Sequence, residues 1–239
     1  MIRRLRRALA RAIIIDRAPG QGRSAINRIA RERAEENYVF ASRHVAGRDV
    51  LDIGGGAGLG HPILLAADAA HVVSIDPYAA PAAANPDPRL TYVQGDFLRH
   101  PFRHDSFDVL LCIGTLFYLP RHDDALQRMR RLLRPGGVLI INCINRQLVR
   151  RYFGMELDEI DPKFTRAYTG PELGDRLARH FGTTPEAFLQ QPVTARTGPL
   201  AGLRVWLAPA GWLFGRHPVL AAAAGVTGMF NYFVVRKAS

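Results

Sequence analysis

The residues whose types and spacing most directly prescribe chemistry are Val50-Leu51-Asp52-Ile53-Gly54-Gly55-Gly56-Ala57-Gly58. A short apolar run delivers the chain to a cluster of glycines that opens a helix. Glycine serves where the backbone takes positive φ or must approach a ligand closely. The start of a helix presents unpaired N–H groups that suit an anion. Asp76 follows Asp52 by 24 residues, at the end of the next apolar run. An acid there can accept both hydroxyls of an adenosine ribose. These features describe a nucleotide-binding α/β domain, and two details narrow it. The dinucleotide fingerprint needs glycines at relative positions 1, 3 and 6; counted from Gly54 or from Gly56, the sixth place holds Leu59 or His61. A phosphate loop would need Gly-Lys-Ser/Thr, which is absent here. What remains is Asp-x-Gly-x-Gly-x-Gly, with the acid two residues before the first glycine.

The elements that must position these residues alternate along the chain. Apolar runs predict strands at Val50 to Ile53, Val72 to Ile75, Leu90 to Val93, Phe107 to Ile113, Val138 to Asn142 and Asn231 to Arg236. Helices are predicted from Ala25 to His44, Ile63 to Ala70, Asp123 to Leu133 and Gly170 to Phe181, with a turn at Arg134-Pro135-Gly136-Gly137. Strands alternating with helices predict a parallel sheet covered on both faces. Residues 2 to 15 read as a cationic amphipathic helix, with Ile2, Leu5, Leu9, Ala12 and Ile13 on one face and Arg3, Arg4, Arg7 and Arg11 on the other.

Composition sets the bounds. A chain of 239 residues, 48% hydrophobic and 22% charged, suits one domain or one domain with a cap. The net charge of +11 comes almost wholly from arginine, since Lys163 and Lys237 are the only lysines. Such a balance fits nucleic acid, an anionic membrane surface or an anionic substrate, and equally an arginine-rich proteome. Cys112 and Cys143 both sit in apolar runs, which argues against a disulfide framework and a zinc site and fits a reducing, cytosolic setting. No secretory signal and no unbroken apolar run of spanning length is expected.

Taken in order, these segments resemble the class I, seven-stranded S-adenosylmethionine (SAM)-dependent methyltransferases, from about residue 37 to residue 145. Asp52 through Gly58 resembles their SAM loop. Asp76 resembles the acid that holds the ribose. Gln94-Gly95-Asp96-Phe97 resembles the segment whose acid reads the adenine amino group, with Phe97 against the ring. Ser106 to Leu110 resembles the fourth strand, Leu132 to Leu139 the turn before the fifth, and Asn231 to Lys237 the closing antiparallel strand. The resemblance implies a doubly wound, mostly parallel seven-stranded sheet with an antiparallel last strand, N-terminal helices and a helical cap insert. It implies a site for SAM, and for its product S-adenosylhomocysteine, lined by Asp52, Gly54, Gly56, Gly58, Asp76, Pro77, Asp96, Phe97, Cys112 and Gly114. It divides the chain into N-terminal helices (1–44), the SAM-binding core (45–145), a remaining helix and strand with the cap (146–228) and a terminal strand (229–239).

The sequence departs from many small-molecule members after the fourth strand, where Phe117-Tyr118 stands in place of Glu-His. That puts a histidine-based mechanism in doubt. Tyr118 orients an acceptor or walls the pocket; His122 and Asp123 are candidate bases by position alone, as are His104 and Asp124, and Asp123 could instead cap its helix. The expected acceptor is a small molecule, a glycan or a lipid-linked compound. The basic N-terminal helix suits the inner membrane face or a cover over the cofactor. The apolar stretch from Leu200 to Phe230, with Trp206 and Trp212 near Arg204 and Arg216, suits a membrane interface or a helical cap. The expected location is cytoplasmic, with a peripheral place at the inner membrane face as the alternative that either segment would give. An RNA-directed role competes on charge, but no stacking platform interleaves aromatics with arginines. A non-catalytic partner subunit competes on fold, against which the complete glycine loop, Asp76 and Asp96 argue. No sequence feature specifies an oligomer.

Overall fold

The computed structural model describes residues 4, 7, 10, 25–78, 87–188 and 230–238. Positions 4, 7 and 10 are helical, with Ala10 buried and Arg4 and Arg7 exposed. The rest of the expected N-terminal helix and the expected cap from 199 to 229 lie outside the described residues. No described helix is long and apolar enough to cross a membrane.

Helix α1 (Ala25–Ala41) runs into a 3-10 turn (Ser42–His44), so the helix expected up to His44 changes pitch over its last three residues. Then follow β1 (Asp49–Ile53), α2 (His61–Ala66), β2 (His71–Asp76), β3 (Leu90–Gln94), β4 (Phe107–Cys112), a 3-10 turn (Leu116–Tyr118), α3 (His122–Leu132) and β5 (Leu133–Ile144). The chain continues through α4 (Arg146–Phe153), α5 (Leu157–Ile160), α6 (Gly170–Phe181), β6 (Glu186–Phe188) and β7 (Phe230–Arg236). The seven strands form one sheet in the order β3-β2-β1-β4-β5-β7-β6. Strands β1 to β5 pair in parallel, and β7 runs antiparallel to both β5 and β6.

Side chains alternate between two cores, as the pleat requires. On one face Leu51, Ile53, Leu110, Cys112, Leu139 and Ile141 pack against α3 and α6. On the other, Val50, Val72, Val109, Leu111, Val138 and Ile140 pack against Tyr38 and Ala41 of α1 and Leu64 of α2. Two helix boundaries are written in local chemistry. Thr169 and Glu172 form a capping box at the start of α6, and Gly182 ends it in the left-handed conformation.

The expected turn at Arg134–Gly137 is instead absorbed into β5, which is 12 residues long. Gly136 takes φ +73°, and the β4–β5 register shifts between Phe107 and Val109. The extension of β7 secures this bulge, since Gly136 N–H donates to Lys237 O (3.1 Å) and Lys237 N–H donates to Gly137 O (2.9 Å). At the same, amino end of the sheet Arg134 joins Asp108 (2.6 Å) to Asp49 (2.9 Å), which locks three strand starts together.

Candidate active site

The carboxyl ends of β2, β1 and β4 lie side by side, and the expected site residues converge there. β1 ends in Gly54, whose N–H donates to Ile75 O of β2 (2.7 Å) and whose φ is +78°. A Cβ on Gly54 would collide with the Thr115 side chain from beyond β4. Gly56, at φ +53°, donates its N–H to Asp76 Oδ2 (3.2 Å). The other oxygen, Oδ1, accepts from Tyr78 N–H (2.8 Å). Asp76 thus ends β2 with its carboxylate drawn onto the glycine loop, and Pro77 follows it at the surface. Across the β1 end, Gly114 takes φ +70°, and its N–H donates to Oδ1 of the buried Asn142 on β5 (2.7 Å).

Gly56 and Gly114 share a further property. A Cβ built on either meets nothing within 4 Å. Their glycines therefore answer to backbone conformation and to open space in front of them. Gly58 differs. It takes φ +82°, its N–H is spent on Gly55 O (3.0 Å), and a Cβ there would press on Tyr92 and His61. Its missing side chain serves packing behind the loop. Asp96 lies at the surface past β3, where Oδ1 accepts from Leu98 N–H (2.8 Å) and the carboxylate stands 3.6 Å from Arg99.

Two of the expected cofactor residues turn their side chains into the core. The Phe97 ring is 3% exposed, turned into the core with the Arg128 guanidinium 5.5 Å above it. Cys112 is wholly buried on the α3 side of the sheet, and burial pushes its thiol far up. The pleat of β4 sends Cys112 into the apolar layer, and the turn after β3 folds Phe97 into the same core.

The two candidate bases are also committed elsewhere. His122 is buried, with Nδ1 2.7 Å from Tyr168 Oη and Nε2 2.9 Å from Thr165 Oγ1. Burial lowers its pKa to about 4. Both ring nitrogens are occupied, and the ring ties α3 to the segment before α6. Asp123 pairs with His180 (2.8 Å) and with Arg176, both on α6, and these bonds lower its pKa to about 2. It is an exposed inter-helix bridge and makes no cap bond to its own helix. His104 is exposed, and Asp124 pairs with Arg121 at 3.2 Å.

Tyr118 is 38% exposed and stands beside Phe117 (4.8 Å) and Phe164 (5.1 Å) in an aromatic group beyond β4. The segment from Asp161 to Tyr168 braces this group. Thr165 N–H donates to Phe117 O (2.8 Å), and Tyr168 N–H donates to Ile144 O (3.2 Å). From there Lys163 reaches back to Tyr78 at the end of β2, its Nζ 5.5 Å from the ring centroid. Since β1 lies between β2 and β4, the Lys163 side chain spans from the β4 side to the β2 side of the sheet's carboxyl end.

Sequence reasoning missed Tyr38, His61, Tyr92, Asn142 and Lys163. Tyr38 donates to Asp52 Oδ2 (3.0 Å), and His61 Nε2 lies 3.0 Å from the same oxygen. Asp52 itself is 1% exposed, and its Oδ1 has no hydrogen-bond partner among the described residues. None of these residues carries a local signal, because their partners lie 9 to 85 positions away in the chain.

A family model described as a methyltransferase domain matches residues 51–141. The chain is 29% identical over 167 residues to a demethylmenaquinone methyltransferase of Mycobacterium sp. (strain JLS), covering 70% of this chain and 68% of that one. It is 29% identical over 143 residues to a sterol 24-C-methyltransferase of Gibberella zeae, covering 56% of this chain but only 36% of that protein. Among solved structures it resembles Burkholderia thailandensis 1,6-didemethyltoxoflavin-N1-methyltransferase with bound 1,6-didemethyltoxoflavin and S-adenosylhomocysteine. The TM-score is 0.59 at 20% identity, over 98% of this chain and 88% of that one, which is a likeness of fold.

Proposed function

The chain belongs to the class I S-adenosylmethionine-dependent methyltransferases, and from that premise we propose that it moves a methyl group from SAM to a small, apolar, ring-bearing acceptor. The observation that carries the reading is the cleft itself. Gly56 and Gly114 face open space on either side of the β1 end, and the Asp76 carboxylate lies 3.2 Å from the Gly56 amide. Asp76 would take the ribose hydroxyls, as an acid at the end of the second strand does in nucleotide-binding sheets. The Gly54–Gly56 backbone would lie under the amino-acid end, and Asp96 beyond β3 would meet the adenine. When bound, SAM supplies an electrophilic methyl group on a sulfonium.

The chain's own contribution is orientation and exclusion of water. Gly114, fixed by Asn142, keeps the β4 end low enough to leave a path to the reacting centre. The exposed Tyr118 ring, backed by the buried Phe117 and Phe164, presents apolar surface to that path. The acceptor class rests on this wall and on two relatives whose names denote sterol and demethylmenaquinone methylation. His122 and Asp123 take no part in proton removal in this reading, since both are bound into the scaffold. The acceptor brings its own available electron pair, on carbon, nitrogen or an ionised oxygen.

Calorimetric titration with SAM and with S-adenosylhomocysteine tests the reading. Saturable binding is expected, weakened about 10- to 100-fold by Asp76→Ala, the scale of one lost charge-assisted pair of hydrogen bonds. A well-folded protein that binds neither ligand at millimolar concentration would overturn it.

A further inference from the structure

We propose that Tyr38, His61 and Tyr92 are positioning residues of the cofactor site, holding the Asp52 carboxylate fixed under the glycine loop so that its charge draws the ammonium at the amino-acid end of SAM. The inference deepens the methyltransferase reading and rests on it.

Asp52 shares a sheet face with Val50, where the neighbouring core is apolar. A carboxylate buried there is costly unless donors converge on it. Two do, and both take the same oxygen. Tyr38 Oη–H donates to Oδ2 at 3.0 Å, and His61 Nε2 lies 3.0 Å from Oδ2. An ionised carboxylate only accepts, so the His61 proton facing it sits on Nε2. Nδ1 is then an acceptor, and Tyr92 Oη, 2.9 Å away, is its donor. The donations run one way, from Tyr92 through His61 to Asp52, with Tyr38 arriving from α1.

The glycine loop is shaped to this network. A Cβ on Gly55 would strike Asp52 and Ser74, one on Gly58 would strike Tyr92 and His61, and one on Gly60 would enter the Tyr38 ring. Three of the loop glycines thus admit the network from behind, while Gly56 faces open space on the other side. Oδ1 is buried yet takes no hydrogen bond among the described residues. A scaffold role would satisfy both oxygens; a half-paired buried carboxylate marks a place where a cation is received. In this weakly polarisable setting its field reaches across the loop with little screening.

The experiment compares two ligands that share the nucleoside thioether. S-adenosylhomocysteine carries the ammonium; 5′-methylthioadenosine lacks the whole amino-acid end. Binding of both is measured by calorimetry to wild type, Tyr38→Phe, Tyr92→Phe and Asp52→Asn, with a thermal melt of each. Tyr38→Phe keeps the ring that Gly60 packs against. It is expected to weaken S-adenosylhomocysteine about 3- to 10-fold and Asp52→Asn about 10- to 100-fold, with 5′-methylthioadenosine unchanged. Tyr92→Phe, one bond further out, is expected to show the same selectivity at about 2- to 5-fold. Equal weakening of both ligands would mean loop packing alone and would overturn the proposal, as would no change in either. Wild type that binds neither ligand would remove the methyltransferase reading and this inference with it.

Discussion

The carboxyl end of β1 and β2 and the carboxyl end of β4 and β5 face the same cleft but are built on different principles. The first is a backbone device. Its working parts are Gly54 and Gly56, and its side chains form a buried polar network of Tyr38, Asp52, His61 and Tyr92 behind the loop. The second is a side-chain device. Its wall is aromatic, and its titratable groups, His122 and Asp123, are consumed in joining α3 to the segment and helix that follow it. A fixed ligand met by backbone geometry needs the first kind of construction. An acceptor read by shape and apolar area needs the second.

The largest expected effect lies on the backbone side. Gly56 takes φ +53°, where a β-branched residue is strained by roughly 1–2 kcal/mol before any ligand is considered. Its missing Cβ also points into the cleft. Gly56→Val is therefore expected to lower S-adenosylhomocysteine affinity more than 100-fold while leaving a folded protein, read by calorimetry and a melt. Retained affinity would mean that the open space in front of Gly56 is not the cofactor cleft, and the division between the two regions would lose its basis.

This same difference explains what could be read in the sequence. The β1–β2 side was legible because its chemistry is local. Asp52 to Gly58 and Asp76 announce a strand, a turn and an acid at fixed offsets, and the α6 boundaries at Thr169 and Gly182 are as plain. Alternating apolar runs gave the parallel strands to within a residue or so at most ends. The inward turn of Cys112 was not legible, because which face a side chain takes depends on register within the finished sheet, and that of Phe97 depends on how the turn after β3 packs against Arg128 of α3. Nor were the duties of His122, whose partners Thr165 and Tyr168 are 43 and 46 residues distant. The strand expected within residues 146–228 could not be placed because the three residues of β6 offer no period, and the absorbed turn at Gly136 depends on pairing with Lys237 about 100 positions later.

On the side-chain side, His122 gives the next largest effect, on stability. The folded ring stays neutral down to about pH 4, whereas in the unfolded chain it takes a proton near 6.5. Between those values the unfolded state binds more protons, so stability falls as pH drops from about 6.5 to about 4 and is unaffected above that window. The contribution is roughly 3 kcal/mol across the full window. Denaturant melts at pH 7 and pH 4.5 should show a fall in wild type that is smaller in His122→Gln. An identical fall in both would show that the ring is accessible and titrates normally, and would return it to the list of candidate bases.

Tyr118→Ala sharpens the comparison from the acceptor side. It removes an exposed ring from the wall without opening the core, since the buried members are Phe117 and Phe164. The apolar area lost from an acceptor contact corresponds to roughly 1–2 kcal/mol. The expected outcome is an acceptor KM raised about 10-fold with S-adenosylhomocysteine affinity unchanged. If instead the cofactor constant moves and the acceptor constant does not, the two regions are not divided as described.

The smallest effect tests where the two regions meet. Lys163 belongs to the acceptor-side segment braced on Phe117, yet its Nζ lies over the Tyr78 ring at the end of β2. Tyr78 is 84% exposed, so this contact is wet and worth roughly 0.5–1 kcal/mol. Because this side chain bridges from the β4 side to the β2 side, breaking the contact should ease escape of a ligand held beneath it. Lys163→Ala is expected to speed S-adenosylhomocysteine dissociation about 2- to 5-fold in stopped flow, with the association rate nearly unchanged and acceptor KM little affected. A change confined to the association rate would assign Lys163 to electrostatic steering, leaving the two regions bridged by backbone alone; no change in either rate would make the contact a solvent-screened one without a part in holding the cofactor.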